Sequence, residues 1–251
     1  MRLFRGTAEG RRRRALAAAA PGPLRDHLVV PLPGPDTPLD ELGLLALDLE
    51  TTGLDPRTDR VLSLGWVAVD GGEVVLGTAQ RFVVRDDRTE RGASSGLPSA
   101  DVEGVGQSAT VHGLTDDTLA GGVPLADAVA ALLEALAGRV LLAHFAGIET
   151  GFVGQACRGL WSATPEFVVV DTFELERRAL GSVAPRGGWG HEPEPGALRL
   201  WAARERRGLP VYRAHEALTD AIACAELYLA QRADLEARSP ETTQTLRHVM
   251  A

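Results

Sequence analysis

Leu44-Leu45-Ala46-Leu47-Asp48-Leu49-Glu50-Thr51-Thr52-Gly53-Leu54 is the stretch on which the reading of this chain turns. Its first half is an apolar run of strand length, and Thr-Thr-Gly supplies the turn chemistry that stops a strand. In a strand, residues i and i+2 point to one face, so Asp48 and Glu50 emerge together while Leu49 points away. Two carboxylates side by side at the end of an apolar strand repel each other and resist desolvation. A divalent cation offsets both costs, and an all-oxygen pair suits Mg²⁺ or Mn²⁺. Two acids that merely reach solvent where the strand runs out are the competing explanation.

Working outward, residues 61–69 form a second apolar run, Asp70-Gly71-Gly72 a hairpin turn, and residues 74–84 a third strand. Short turns between three adjoining strands predict an antiparallel meander. Residues 86–110, rich in Gly, Ser and Asp, predict a long polar loop. Leu125, Val129, Leu132, Leu133 and Leu136 recur at helical spacing over 124–137. Then come a short buried strand over 140–143, a helix over 148–157, and a strand over 167–171 that leads into a helix through Leu180. A flexible stretch over 181–196 precedes helices over about 197–207 and 217–236. The pattern predicts an α/β fold: a mixed five-stranded sheet, the meander beside parallel strands, flanked by helices. Residues 1–40, rich in Arg, Ala and Pro, read as an irregular or partly helical extension. Residues 41–235 read as the domain and 236–251 as a short polar tail.

Composition bounds the function. A 251-residue chain with 45% apolar residues builds a substantial core. Every basic residue is arginine, which fits coding bias and says little about chemistry. Cys157 and Cys224 match no metal-binding spacing and read as reduced core thiols, which points to the cytoplasm. Arg11-Arg12-Arg13-Arg14 followed by six alanine-rich positions faintly imitates a signal peptide. The apolar stretch is short and stopped by Pro21-Gly22-Pro23, so neither secretion nor a membrane span is expected. The net charge of −8 is unevenly spread: residues 1–30 hold seven arginines against two acids, the remainder nineteen against thirty-two. A protein coating duplex backbone should be basic. An enzyme gripping only a strand end through divalent cations need not be.

Two further acids and a histidine are candidates. Asp220 lies near the start of the last long helix, and Glu149 begins the helix after the fourth strand. Either one alone is explained as an acid stabilised by the helix dipole. His215 and Asp220 are five apart, about 140° around an ideal helix, so they cooperate only if His215 sits in the preceding loop.

Together these segments resemble the DEDD 3′–5′ exonucleases, the RNase H-like superfamily of bacterial proofreading subunits, RNase T and oligoribonuclease. Asp48-Leu49-Glu50-Thr51-Thr52-Gly53-Leu54 is similar to the first motif. Val111-His112-Gly113-Leu114-Thr115, His144-Phe145-Ala146-Gly147-Ile148-Glu149, Asp171-Thr172 and His215 through Asp220 follow in the family's order. The resemblance covers about residues 42–231. With histidine at 215 and glutamate at 216, the third motif resembles the histidine type, DEDDh. Two positions depart from the pattern: Glu149 replaces the usual aspartate, and Phe145 stands where asparagine is usual. The extra methylene of Glu149 moves its carboxylate by about 1.5 Å at most, roughly one bond length.

The resemblance implies roles. Asp48, Glu50 and Asp220 would hold one Mg²⁺ or Mn²⁺ ion, Asp48 would bridge to a second, and Glu149 would stand in that ion's water shell. His215 would take the proton of the attacking water, work suited to an imidazole near neutral pH. Thr51, Thr52, Gly53, Leu54 and His112 would meet the terminal nucleotide. The partner implied is a nucleic-acid 3′ end, DNA favoured and RNA trimming the alternative, with nucleoside 5′-monophosphates as product. A polymerase partner or a homodimer stays open, and a non-catalytic binding module on the same fold is the rival class.

Overall fold

The computed structural model describes residues 8–85, 114–183 and 194–251. β1 (Gly43–Thr51) is the middle strand of a five-stranded sheet. It pairs antiparallel with β2 (Val61–Asp70), which pairs antiparallel with β3 (Glu73–Val83). On its other side it runs parallel to β4 (Val140–Ala143), and β4 runs parallel to β5 (Val169–Asp171). The order β3-β2-β1-β4-β5 is the meander with parallel strands that the sequence predicts. Gly71 and Gly72 turn the hairpin with φ of 58° and 86°, the two consecutive positive angles that a tight primed turn requires.

In chain order the helices are α1 (Ala8–Ala18), α2 (Pro23–Val29), α3 (Asp116–Ala120), α4 (Leu125–Ala135), α5 (Gly147–Trp161), α6 (Thr172–Val183), α7 (Leu200–Glu205), α8 (Ala217–Arg238) and α9 (Leu246–Val249). Strand alternation assigns them to faces. Leu45, Leu47 and Leu49 of β1, with Leu64 and Trp66 of β2, pack with Val129, Leu132, Leu133, Phe152 and Val153 of α4 and α5. Leu44 and Ala46, with Val67 and Val69, pack against Cys224, Ala225 and Tyr228 of α8. By the same parity, Asp48 and Glu50 point to the α8 face. No described helix is long and apolar enough to cross a membrane.

Three expectations are revised. The fifth strand is only three residues long, and the helix before α8 covers only Leu200–Glu205. α3, capped by the Thr115 side chain accepting from the Thr118 N–H, is too short to show periodicity. The flanks placed outside the domain pack on it. Leu24 and Leu28 of α2 enter the core beneath α4, while Leu246 and Val249 of α9 are buried in the core beneath α8. Each of these two short helices buries a single apolar pair, at i,i+4 or i,i+3, which is too little repetition to stand out against Arg- and Pro-rich surroundings, and Leu39 of the N-terminal flank is buried as well.

Because Leu28 is 1% exposed, Leu28→Ala should cost about 2–5 kcal/mol. For a chain of this size that lowers Tm by roughly 5–15 °C in a thermal melt. A shift within about 1 °C would make α2 a peripheral attachment.

Candidate active site

β1 delivers Asp48 and Glu50 to the α8 face at its C-terminal end. Opposite Asp48 stands Gly65 of β2, and beyond Gly65 stands Arg81 of β3. A Cβ on Gly65 would lie 2.1 Å from the Leu218 backbone nitrogen and 2.3 Å from the Ala217 carbonyl carbon. Only the absence of a side chain lets the first turn of α8 rest on the sheet. That contact carries Asp220 to the strand.

The approach to α8 is tightly capped. Glu216 accepts from the Thr219 N–H at 2.9 Å and its hydroxyl at 2.6 Å, and its other oxygen pairs with Arg81 at 2.9 Å. His215 precedes the cap with φ of 65°, and its backbone N–H donates to Asp220 Oδ2 at 2.8 Å. It therefore sits in the loop, as cooperation with Asp220 requires. From behind, buried Arg204 donates to the Pro210 carbonyl and to Glu226, and the Tyr212 hydroxyl also donates to Glu226, each at 2.8 Å. Ligating atoms of Glu50, His215 and Asp220 lie within 4.8 Å of one another.

Glu149 occupies the first turn of α5 and is 4% exposed. Its Oε2 and the Oδ1 of Asp220 are buried without a hydrogen-bond partner. Burial raises Asp48 well above the ordinary carboxylate range, and the charges of Glu149, Asp220, Glu50 and Glu216 raise it further. Burial, then Asp220 and Glu216, push Glu50 up to about 7 against partial relief from Arg81. Burial pushes Glu149 up to about 8, with the Asp171 charge adding to it. Burial also raises Asp220, opposed by the His215 N–H and imidazole. Four acids destabilised together, two with orphaned oxygens, make a candidate cation site. The carboxylate oxygens fit a hard divalent ion.

The expected nucleotide contacts fare unevenly. The Thr51 hydroxyl donates to the Gly53 carbonyl at 2.6 Å. The Thr52 hydroxyl donates to Asp59 and accepts from the Arg60 N–H, both at 3.1 Å, so it serves its own loop. Gly53 has no positive φ; its value lies in close approach, since a Cβ would sit 2.5 Å from the Asp59 carboxylate. Leu54 is 74% exposed beside the site. His112 lies outside the described residues. Sequence reasoning missed Gly65 and Arg81. A lone glycine inside an apolar strand was the available signal for the first; nothing marked the second.

A family model described as exonuclease, RNase_T, matches residues 45–228. The DNA polymerase III subunit epsilon-like protein of Rhodobacter capsulatus is 28% identical over 82% of this chain and 26% of its own length. DNA polymerase III PolC-type of Thermotoga maritima is 23% identical over 77% of this chain. The chain spans about an eighth of that relative's length (12%). Among solved structures, E. coli exonuclease I in complex with a dT13 oligonucleotide gives a TM-score of 0.58 at 18% identity, over 80% of this chain and 42% of that one. Cell-death related nuclease 4 gives 0.58 at 13% identity, over 78% and 64%. At such identities the likeness shows a shared RNase H-like fold.

Two outcomes follow from the geometry. Gly65→Ala should lift the start of α8 and weaken Mn²⁺ binding at least tenfold by calorimetry. Gly77→Ala, where a Cβ meets open space, should leave it unchanged; equal affinities in all three proteins would detach the site from this contact. Separately, acids with raised folded-state pKa stabilise the protein only while protonated, so metal-free stability drains as pH climbs through Glu50 at about 7 and Glu149 at about 8. His27, lowered by burial to about 4, works the other way but only below about pH 7, where an unfolded histidine still binds a proton. Between pH 7 and 8.5 the Tm in EDTA should therefore fall, and Mn²⁺ should restore it; a flat or rising Tm there would count against the raised acids.

Proposed function

The chain belongs to the RNase_T family of exonucleases, and on that premise we propose that it removes nucleotides from the 3′ end of single-stranded DNA by divalent-metal-dependent hydrolysis, as a DEDDh enzyme. The observation that carries this reading is the convergence of Glu50, His215 and Asp220 within 4.8 Å, beside Asp48 and buried Glu149. A non-catalytic binding module would keep this costly set of acids without gain.

In this reading Asp48, Glu50, Asp220 and Glu149 would hold two Mg²⁺ or Mn²⁺ ions. When bound, such ions neutralise the scissile phosphate and acidify the attacking water. His215 accepts the proton from that water as its oxygen forms the new bond to phosphorus. The bond from phosphorus to the 3′ oxygen of the preceding nucleotide breaks, that oxygen takes up a proton, and a nucleoside 5′-monophosphate departs. The N–H bond from His215 to Asp220 fixes where the imidazole loop stands, so the base and one metal carboxylate move as a unit. Leu54 packs on the terminal base; the Thr51 and Thr52 hydroxyls, engaged within their own loop, shape that loop. The loop residues 209–216, held by Arg204 and Tyr212, keep the imidazole at the edge of β1.

Purified protein with Mg²⁺ or Mn²⁺ should release labelled mononucleotide at once from 3′-labelled strands and yield a descending ladder from 5′-labelled ones. Matched DNA and RNA strands report the sugar preference; faster RNA trimming would replace the DNA assignment with the exoribonuclease one. His215→Ala should lower turnover by roughly 10²–10⁴-fold while Tm holds. Asp48→Ala should abolish cleavage. Near-normal turnover of either variant removes that residue from the chemistry, and inert wild-type protein under all conditions removes the enzyme reading.

A further inference from the structure

Phe145 is conspicuous at the rim of the site and has no part in the hydrolysis described above. It lies two residues beyond the end of β4 and four residues before Glu149, whose charge acts on Asp48. Among the described residues it is the one aromatic side chain among the exposed large hydrophobics, at 52%. Its backbone is also left-handed, with φ of 73°, a conformation that a bulky residue adopts only when its surroundings hold it there.

One carboxylate holds it. Asp171 accepts from the N–H groups of Phe145 at 2.9 Å, Ala146 at 3.0 Å and Phe173 at 2.9 Å. The backbones of both phenylalanines are thus fixed to the same oxygen, Asp171 Oδ1, and the rings meet edge to face with centroids 5.2 Å apart. Phe173 is braced in turn by His144, edge-on at 5.8 Å. That imidazole is pinned between the Thr172 hydroxyl and the Leu198 carbonyl, both at 2.8 Å. The outcome is a single preset aromatic ring, open to solvent, beside a cluster of carboxylates.

We infer that Phe145, braced by Phe173, is a stacking platform for a nucleobase at or next to the 3′ end of the strand whose phosphodiester enters the carboxylate site. The inference rests on the nucleic-acid reading above. An isolated ring is too small for a protein interface, whereas a base offers a π-face of matching size. Every base has such a face, so the platform tolerates any sequence. It also supplies grip without positive charge, which suits a surface as acidic as this one.

The test is fluorescence-anisotropy binding of a 5′-labelled oligo-dT in Ca²⁺, with wild type, Phe145→Ala, Phe145→Trp and Phe145→Asn. Asparagine tolerates positive φ and so keeps the turn while deleting the ring. Alanine and asparagine should each weaken binding about 10–100-fold, the scale of one lost base stack, and tryptophan should retain it. On the same strand with its two 3′-terminal nucleotides abasic, which also removes the base that Leu54 packs on, wild type and the alanine variant should bind within about twofold of each other. Equal losses on intact and abasic strands, unchanged binding in both ring-deleted variants, or no binding by wild type would overturn the platform. Strand hydrolysis in Mg²⁺ is read in parallel. Inert wild type with a base-dependent binding difference would sink the exonuclease reading and leave the platform standing; active wild type with no such difference would do the reverse.

Discussion

Where the first turn of α8 lies on β2, the distance is set by the missing side chain of Gly65. Ala217, Ala221 and Ala225 are fully buried along the same helix, so small residues let it lie close to the sheet beyond that first contact. This closeness has an electrostatic cost. It brings Asp220 against Asp48 and Glu50 in a place where burial already disfavours charge. Packing of Cys224 and Tyr228 in the core beneath pulls the helix in, and carboxylate repulsion pushes its end out. Protons or a cation relieve that tension, and protons leave Glu50 and Glu149 as pH climbs through about 7 and about 8. Under the proposed function, a fold that forces acids together in this way would favour divalent ions without any preformed cage.

How much of this was legible depends on whether the signal was local. Asp48 and Glu50 share a face because a strand has period two, so their pairing could be read at once. The sheet order followed from turn chemistry at Asp70-Gly71-Gly72 and from strands alternating with helices. His215 and Asp220 could be named as candidates, but that His215 lies outside the helix depends on a left-handed residue and on the Glu216 cap, both tertiary in origin. The Thr52 hydroxyl read as a substrate contact because Asp59, its actual partner, lies seven residues on across a loop whose closure the sequence does not specify. Gly65 and Arg81 gain meaning only through register across three strands, a long-range property.

Under the proposed function charge raises an apparent conflict, since a polyanion would have to approach an acid-rich body. Arg81 is the arginine seen to relieve the cluster, and it is already paired with Glu216. Little backbone affinity can come from it. In that reading, bound cations and apolar contacts such as Leu54 and Phe145 would supply grip on a strand end. An enzyme built this way should favour loose ends over duplex, because only an unpaired base presents its faces.

Glu149 is explained by what its neighbours already do. A helix begins with several N–H groups lacking partners, and an acid in the first turn often serves them. Here Asp171, from the adjoining strand, takes the N–H groups of Phe145 and Ala146 just ahead of α5. Glu149 accepts from its own backbone N–H and keeps its Oε2 unpartnered in a buried position, electrostatically joined to Asp48. An aspartate would be one methylene shorter, so the longer side chain extends the carboxylate's reach from α5 toward the β1 edge. Glutamate thus keeps a carboxylate at this position, one helical turn after the turn that presents Phe145.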